Sequence, residues 1–576
     1  MIRKIISYLG EYKKYAILTP MVMLGEVVME VLIPFVMAAI IDIGIQGDGG
    51  TAYTIKMGLL MISMAILSLC FGALGGKLAA MAGMGFAKNI RKALFHKVQD
   101  FSFANVDKFS TASLVTRLTT DVTNTQNAFM MIIRMGIRAP LMLVGALIMT
   151  LTISKKLSTV FLVATPVLAL CLIFIISKAF PRFQEMLNKY DSMNASVQEN
   201  LVNIRVVKAF VREKHEKQKF DSAADSVRKA QVMAEKIVVL NMPIMQLTMY
   251  GTIVAIIWIG GRMAINGELA IGQLSSFISY VTQILMSLMM LSMIFVILVI
   301  SRASISRIVE ILDEEIDIKD ENTNSTVELE NGDIEFKNVS FSYAQKEDNL
   351  TLENIDLQIH SGETIGIIGG TGSAKTTLVQ LIPRLYDVQN GEVIVGNHNV
   401  KEYTLQQLRE QVAMVLQKNI LFSGTIKENL KWGNEHATEE EIVEACKSAQ
   451  AHEFIMSFPD RYETDLGQGG VNVSGGQKQR ICIARALLKK PKIIILDDST
   501  SAVDTATDAN IRRAFKEKLS DTTTIIIAQR ISSVEDADRI IVIDDGKINA
   551  FGTHEELLQT NDIYREVYES QQKGEN

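Results

Sequence analysis

Hydrophobic positions are distributed unevenly along this chain of 576 residues. Long apolar runs fill the part before residue 302, whereas the remainder alternates short β-branched runs with helix-like stretches. The first pattern is typical of membrane-spanning helices, and the second of a mainly parallel sheet with helices packed around it. A chain of this length is too long for one core, so the pattern predicts two large units.

Six apolar runs approach or exceed the length of about 20 residues that a spanning helix requires. The first is interrupted by Glu26 and Glu30, and the last carries no formal charge. We therefore predict six spans, at residues 15–41, 57–76, 139–154, 158–177, 237–261 and 269–301.

The connections between these runs set the orientation. Those after spans two and four are long and rich in basic residues: Lys88, Arg91, Lys92, Lys97, Arg205, Lys208 and Arg212. The positive-inside rule places these segments and both termini in the cytoplasm, so we predict a multi-pass protein of the cytoplasmic membrane. Residues 1–15 are amphipathic and predict a segment lying on the lipid bilayer surface.

Polar residues inside the spans allow more than one interpretation. Glu26 and Glu30 lie one helical turn apart, and they either keep a cavity hydrated or contact a substrate or cation directly. Lys77 is a candidate partner for either carboxylate, or else extends its ammonium toward the cytoplasmic interface. Gln283 and Ser287 indicate a face that lines a cavity. Methionines in spans five and six favour simple packing or an adaptable apolar pocket: Met242, Met245, Met249, Met286, Met289, Met290 and Met293.

Composition excludes some classes of function. The net charge of −6 and the absence of a basic stripe with interleaved aromatics predict no nucleic-acid partner. The four cysteines (Cys70, Cys171, Cys446 and Cys482) have neither metal-binding nor redox spacing.

A phosphate-binding loop lies between a predicted strand at 364–368 and a helical stretch at 377–385. Its backbone N–H groups and the helix N-terminus favour phosphate, Lys375 reaches the β and γ groups, and the Thr376 hydroxyl binds Mg²⁺. The nucleotide-binding residues expected here are Gly369, Gly370, Thr371, Gly372, Ser373, Ala374, Lys375, Thr376 and Thr377.

Two further motifs accompany this loop. Asp497 ends the apolar run 493–496, which places a carboxylate at a buried strand end near the Mg²⁺. A second anion-binding surface of one hydroxyl and bare backbone N–H groups precedes a helix; its residues are Ser474, Gly475, Gly476 and Gln477.

At these spacings the motifs resemble the ATP-binding cassette exporters, strongly over residues 334–558. The resemblance implies ATP and Mg²⁺ as cofactors, with Tyr343 stacked on adenine and Gln417 touching Mg²⁺ and the attacking water. It implies that residues 474–477 face the phosphate loop of a second subunit, so the chain is half of a transporter. It also implies short coupling helices near 103–110 and 200–210 that dock on nucleotide domains.

The fold class expected is an all-α six-helix transmembrane domain with long cytoplasmic helical extensions, followed by an α/β P-loop nucleotide-binding domain. The boundaries predicted are 1–312 for the transmembrane domain, 313–333 for an acidic linker, and 334–576 for the cassette.

The cassette departs from the family pattern at three positions of one site. The family has Gly at 374, Glu at 498 and His at 529, whereas this chain has Ala374, Asp498 and Gln529. The catalytic residues expected are Asp498, Gln529 and Gln417. Because Asp498 is shorter than Glu and Gln529 has no titratable ring, this ATP site is predicted to bind ATP but to hydrolyse it poorly. The family's Glu-Arg ahead of the signature is replaced by Gln468-Gly469.

The signature itself is intact, and in this family it serves the partner's site. We therefore predict a heterodimer in which residues 474–477 and the loop 501–504 complete a competent partner site; an active homodimer is the alternative. The function predicted is ATP-driven export of small hydrophobic or amphipathic compounds by alternating access. Import of a charged ligand such as a siderophore and a purely regulatory subunit are the other interpretations.

Overall fold

The structure is a computed structural model that describes residues 1–320, 323, 327–344, 349–499 and 503–574. The chain forms two compact units. The membrane unit comprises Met1–Gln99 and Thr111–Glu314, and the nucleotide unit comprises Asp100–Ser110 and Glu315–Asn576.

Helices account for nearly all of the first 313 residues, and α4 among them belongs to the nucleotide unit. Their bounds are α1 Ile2–Ser7, α2 Lys13–Ala39, α3 Gly50–Gln99, α4 Phe103–Lys108, α5 Thr111–Thr116, α6 Val122–Ile153, α7 Lys155–Val202, α8 Ile204–Ala209, α9 Glu213–Val238, α10 Asn241–Ile265 and α11 Ile271–Asp313. A π-helical turn extends α2 through Ile40–Ile45, and another, Arg117–Asp121, joins α5 to α6.

Six helical segments are long and apolar enough to cross a membrane, which confirms the six predicted spans. Each predicted run overlaps one of them, and only residues 154, 269 and 270 of the predicted runs fall outside: Gly10–Ile45, Gly50–Gln99, Thr111–Ile153, Lys155–Val202, Glu213–Ile265 and Ile271–Asp313. Several extend well beyond the apolar run, as expected for helical cytoplasmic extensions. Large apolar side chains such as Leu69 and Leu170 are exposed on these helices, which suits contact with lipid tails.

The interior of the membrane unit is held by aromatic packing and by side-chain bonds to helix carbonyls. Phe161 stacks on Phe277, and both are fully buried. Tyr280 donates a hydrogen bond of 2.8 Å to the Val31 carbonyl, and Ser276 donates one of 2.7 Å to the Pro34 carbonyl. These two bonds fix α11 against α2, because an apolar interior offers such donors no water as an alternative partner.

The partner of the two membrane carboxylates differs from the candidate that the sequence offered. Arg138 of α6 lies 2.7 Å from Glu30 Oε1 and 3.4 Å from Glu26 Oε1. Lys77 is exposed and forms no ion pair within the described part of the chain. Arg138 escaped prediction because it immediately precedes the apolar run 139–154. Gln283 donates to the Glu30 carbonyl at 3.1 Å, so α11 joins the same cluster.

The nucleotide unit contains two sheets whose strands are short and rich in isoleucine and valine. A four-stranded antiparallel sheet has the order β2-β1-β4-β5, and a six-stranded sheet has the order β10-β9-β3-β8-β7-β6. The larger sheet is parallel apart from its β10–β9 edge. The strands are β1 Ile334–Phe341, β2 Leu352–Ile359, β3 Thr364–Gly369, β4 Asn390–Val395, β5 His398–Asn399, β6 Val412–Val415, β7 Ile493–Asp497, β8 Thr523–Ile527, β9 Arg539–Asp544 and β10 Lys547–Gly552.

Among the described residues of this α/β part there are nine helices, most of them short. They are α12 Lys375–Gln380, α13 Leu405–Gln411, α14 Ile426–Lys431, α15 Glu439–Ser448, α16 His452–Met456, α17 Gly475–Leu488, α18 Thr505–Lys518, α19 His554–Thr560 and α20 Asp562–Gly574. All five residues of β7 and all five of β8 are buried. Parallel strands covered on both faces have this continuous apolar character.

The two segments expected as coupling helices both form short helices, α4 and α8. In the nucleotide unit, Tyr386 donates a hydrogen bond of 2.6 Å to Asp107 of α4, and Asn105 donates one of 2.9 Å to the Glu315 carbonyl. In the membrane unit, the region of α8 exposes the apolar side chains of Val206 and Phe210.

Candidate active site

The order of the parallel strands decides which residues meet. In the larger sheet β3, β8 and β7 are neighbours, with Ile367 paired to Ile527 and Asp497 paired to Ile527. Because the strands run in the same direction, the loops that follow them emerge at one edge. The phosphate loop after β3, Asp497 and Asp498 at the end of β7, and Gln529 after β8 are thereby brought together.

The phosphate loop follows β3 and leads directly into α12. The Lys375 ammonium donates to the carbonyls of Gly369 at 2.9 Å and Gly370 at 2.7 Å. Burial lowers the pKa of Lys375, and the nearby charges of Asp497 and Asp498 oppose that effect. A partly desolvated ammonium held over bare glycine backbone is suited to binding a phosphate.

The helix after this loop is shorter than predicted. α12 ends at Gln380, whereas the sequence favoured a helix to residue 385. Pro383 explains the difference, since the residue before a proline is biased away from the helical conformation. Arg384 then has a positive φ of 51°, which turns the chain away.

Ala374 lies in the left-handed region of the backbone map, with φ 73° and ψ 20°, immediately before α12. A side chain with a Cβ costs roughly 1–2 kcal/mol in that region, whereas glycine does not. The loop keeps the backbone path that a glycine would favour, at the expense of local strain.

Thr376 and Asp497 are in direct contact, because the Thr376 hydroxyl donates to Asp497 Oδ1 at 3.0 Å. Asp497 is only 2% exposed. Burial raises its pKa, while the hydrogen bond from Thr376 lowers it by a smaller amount. One buried carboxylate beside one hydroxyl fits Mg²⁺, which usually takes one or two carboxylates, substrate phosphates and water.

Asp498 and Gln529 form the second contact of the site. Gln529 Nε2 donates to Asp498 Oδ2 at 2.8 Å. Asp498 has a positive φ of 48°, its N–H donates to the Ile527 carbonyl at 3.0 Å, and its own carbonyl accepts from Gln479 of α17 at 3.2 Å. The backbone of Asp498 is therefore held from β8 and from α17 at once, and its carboxylate is held by Gln529.

Tyr343 follows β1 and lies beside α12, the helix that follows the phosphate loop. Its hydroxyl is 3.0 Å from the Thr377 hydroxyl, and its ring packs edge-on against Tyr386 with centroids 5.1 Å apart. Burial raises the pKa of Tyr343. Sequence reasoning missed Tyr386, because an isolated tyrosine in a loop carries no local signal.

Gln417 lies two residues beyond the end of β6 and is exposed. β6 pairs in parallel with β7, with Val415 opposite Leu496. Gln417 therefore emerges at the sheet edge where Asp497 lies.

The signature residues stand apart from this cluster. Ser474 caps α17, because its hydroxyl accepts from the Gln477 N–H at 3.3 Å while the Gln477 side chain accepts from the Ser474 N–H at 2.9 Å. Within the described residues, no hydrogen bond or ion pair joins positions 474–477 to the phosphate loop. In the loop 501–504, Asp504 caps α18; positions 501 and 502 lie outside the described residues.

Comparison with known proteins decides the family. The profile of the ABC transporter transmembrane region matches residues 17–310, and the ABC transporter profile matches residues 352–501. This chain belongs to the ABC transporters. It is 40% identical over 569 residues to YfiB of Bacillus subtilis (strain 168), itself an uncharacterized ABC transporter ATP-binding protein, covering 99% of this chain and 98% of that protein.

Further ABC transporters match over the same length. YgaD of Bacillus subtilis (strain 168), provisionally named a multidrug export ATP-binding/permease protein, is 32% identical over 99% of each chain. The ATP-bound structure of a bacterial Atm1-family ABC exporter superposes with a TM-score of 0.81 at 23% identity, over 98% of this chain and 99% of that one.

The chain is thus an ABC half-transporter of the exporter type, with one membrane region and one ATPase domain. An ATPase domain of this family implies ATP hydrolysis coupled to transport. The six spanning helices and the nucleotide-binding domain make it a multi-pass membrane protein whose ATPase domain is cytoplasmic.

Proposed function

We propose that the chain is one subunit of a heterodimeric exporter, and that its own site holds Mg²⁺ and ATP but hydrolyses ATP slowly. The bond from Gln529 to Asp498 carries this proposal, because it engages the carboxylate that stands where the family has its catalytic Glu. Ala374, in its strained left-handed conformation, is a further departure from the family pattern in the same site.

The retained residues are sufficient for binding nucleotide. Lys375 and the N–H groups of positions 369–377 hold the phosphates, and the adjacent oxygens of Thr376 and Asp497 hold Mg²⁺, which would neutralise the phosphate charge. Tyr343 offers a ring face to adenine, and Gln417 lies at the same sheet edge to contact Mg²⁺ and water.

The altered residues account for slow hydrolysis. Asp498 is one methylene shorter than glutamate, and a displacement of about 1 Å from the productive position costs about 100-fold in rate. Its Oδ2 already accepts from the Gln529 amide, which cannot exchange a proton as an imidazole does. Both effects act on the water-activating step and leave phosphate binding intact.

The signature supports the heterodimer. Its residues 474–477 are complete and rigidly placed at the start of α17 by the reciprocal bonds between Ser474 and Gln477. A helix N-terminus of this kind binds phosphate. We infer that it serves the ATP site of a second half-transporter, and that this site carries the family's usual Glu and His.

The membrane unit supports hydrophobic or amphipathic substrates. Arg138 engages both Glu26 and Glu30, so a cation of the protein itself already pairs with these carboxylates. This favours export of apolar compounds over import of a charged one. The name of YgaD points in the same direction.

The test is to purify the full-length chain alone and measure ATP binding and steady-state hydrolysis, with Lys375→Ala as the control that loses binding. We expect binding with almost no turnover, and we expect turnover to appear when a co-purified partner is added. Turnover of about 1 s⁻¹ or more by the chain alone, ordinary for an enzyme, would replace the heterodimer with an active homodimer.

A further inference from the structure

The last described helix of the chain reaches back to the candidate ATP site through one side chain. Gln571 Oε1 accepts a hydrogen bond of 2.8 Å from the Ile531 N–H, and Gln571 Nε2 donates one of 2.8 Å to the Gln529 carbonyl. A single amide therefore holds the backbone on both sides of Arg530. Both backbone groups lie in the loop after β8, which carries Gln529.

Packing fixes the helix from which Gln571 extends. Tyr564 of α20 is fully buried and its hydroxyl is 2.7 Å from His554 Nδ1. Val567 packs against the core that contains Leu496 of β7. Positions 564, 567 and 571 lie on one face of a helix, so the contacts that anchor α20 also direct Gln571 toward the loop.

The loop is held at its other points as well. Ile531 begins a 3₁₀ turn, Ile531–Ser533, and the Ser533 hydroxyl donates to Asp508 at 3.0 Å. The Gln529 side chain donates to Asp498. Rotation of the peptide between Gln529 and Arg530 would reorient the Gln529 amide, and the bond from Gln571 to the Gln529 carbonyl opposes that rotation.

We propose that Gln571 is a positioning residue for Gln529: it fixes the backbone of residues 529–531 so that the Gln529 amide points toward Asp498 and the γ-phosphate of bound ATP. This inference rests on the proposed function, in which the site holds ATP, and it adds a contact between Gln529 and that phosphate. Gln571 acts through Gln529 and does not itself touch nucleotide. The end of the chain thereby contributes to discrimination between ATP and ADP.

The experiment measures the affinities of ATPγS and ADP, each with Mg²⁺, for the full-length chain in lipid nanodiscs. Gln571→Met keeps the length of the side chain and removes both bonds. Gln572→Ala is the matched control, because its neighbouring side chain only donates to Tyr568 on an exposed surface. Gln529→Ala defines the effect of losing the γ-phosphate contact itself.

We expect Gln571→Met to lower the preference for ATPγS over ADP by about threefold to tenfold, the loss that one or two hydrogen bonds produce. Affinity for ADP should change little, and Gln572→Ala should match the wild type. Gln571→Glu keeps the acceptor for the Ile531 N–H and should retain part of the preference. If Gln571→Met does not fold, Gln571→Glu decides the question by the same ratio.

The outcomes separate this inference from the function on which it rests. Suppose that Gln529→Ala lowers the ratio of ATPγS affinity to ADP affinity. An equal loss of affinity for both nucleotides in Gln571→Met, or an unchanged ratio, would then overturn the positioning role. An unchanged ratio in Gln529→Ala would overturn the contact of Gln529 with the γ-phosphate, and the role of Gln571 with it.

Discussion

The hydroxyl of Tyr386 donates a hydrogen bond of 2.6 Å to the carboxylate of Asp107, and the ring of the same tyrosine packs edge-on against Tyr343. Burial, followed by the bond to Asp107, raises the pKa of Tyr386. The phenol therefore remains a neutral donor at physiological pH. One side chain thus joins helix α4 to the aromatic residue proposed to stack on adenine.

Removal of the Tyr386 hydroxyl should uncouple nucleotide binding from transport. Tyr386→Phe keeps the ring contacts with Tyr343, so we expect ATP affinity to change little. A hydrogen bond to a charged group contributes about 1.5–3 kcal/mol, and its loss should reduce ATP-driven transport in vesicles several-fold. Tyr403→Phe is the control, because its buried hydroxyl donates to the neighbouring carbonyls of Val395 and Gly396 and not to α4. Equal effects of the two variants on transport would argue against a coupling role.

Restoring one catalytic position should do little. Asp498→Glu alone leaves Gln529 and Ala374 unchanged, so we expect steady-state hydrolysis to rise by less than about threefold. The triple variant with Gln529→His and Ala374→Gly should rise by on the order of 10- to 100-fold, the range expected for a correctly placed general base. Adding Lys375→Ala should abolish that gain. A large rise from Asp498→Glu alone would show that the shortened carboxylate was the sole defect.

Ala374→Gly should stabilise the protein, contrary to the usual effect of glycine. The substitution relieves a left-handed φ of 73°, and the gain of roughly 1–2 kcal/mol exceeds the entropy lost to glycine, about 0.5–1 kcal/mol. Ala509→Gly, within α18, has no such strain to relieve and should lose about 1 kcal/mol. Denaturant unfolding of the nucleotide unit measures both. Destabilisation by both variants would mean that the strain at 374 is negligible.

Asp497→Asn should raise the stability of the nucleotide-free protein at neutral pH. Burial raises the pKa of this carboxyl, so the stability contributed by its neutral form is present at acid pH and lost as pH rises through that pKa. Removing the charge should raise the unfolding temperature by about 1–3 °C, and this gain should shrink as pH falls. The same variant should lose the stabilisation that ATP with Mg²⁺ gives the wild type.

Asp504→Asn is the opposite case and serves as the control. The bonds that cap α18 lower the pKa of Asp504, so its charge stabilises the fold above its ordinary pKa and that stability is lost as pH falls. The variant should lower the unfolding temperature at neutral pH. Thermal unfolding measured across pH checks both variants. If their unfolding temperatures shifted in the same direction, the raised pKa of Asp497 would be contradicted.

Arg138→Gln should be strongly destabilising, because it removes the guanidinium that pairs with Glu26 and Glu30 inside the membrane. Breaking such a pair costs about 3–5 kcal/mol, which should appear as low yield and early unfolding in detergent. Neutralising all three positions to Gln should recover most of the loss. Arg182→Gln is the control: it breaks an exposed ion pair with Glu185 and should change yield and unfolding little.

The triple neutral variant also separates the candidate substrates. If it retains ATP hydrolysis stimulated by an apolar compound, the charges serve the fold and the exporter proposal stands. Loss of that stimulation in a stable triple variant would favour a charged ligand that contacts Glu26 and Glu30.

The parts of the fold that the sequence predicted are those written in local patterns. The spans follow from runs of apolar residues, and the phosphate loop follows from spacing within nine positions. The contact of Tyr386 with Asp107 joins residues 279 positions apart, and no local pattern indicates it. Gln571 was missed for the same reason, since a glutamine near the end of a polar helix resembles an ordinary solvated residue.

The Arg138 contact shows why partner choice is harder to predict than location. Lys77 directly follows the predicted second span and was the cation that the sequence offered as a partner. Arg138 instead precedes the third apolar run. The register of α6 against α2, with Arg138 opposite Glu30, follows from packing of whole helices. Single-position reasoning therefore found the carboxylates but not their counter-ion.

The separation of these charges along the chain has a consequence for biosynthesis. Arg138 follows Glu30 by 108 positions, so the first span leaves the ribosome before its counter-charge has been made. At synthesis rates of about 5–20 residues per second, the delay is roughly 5 to 20 s. During that interval the insertion machinery must stabilise α2. Because Arg138 is supplied by α6, the ion pair that fixes the first span in the bilayer forms only after α6 has been synthesised.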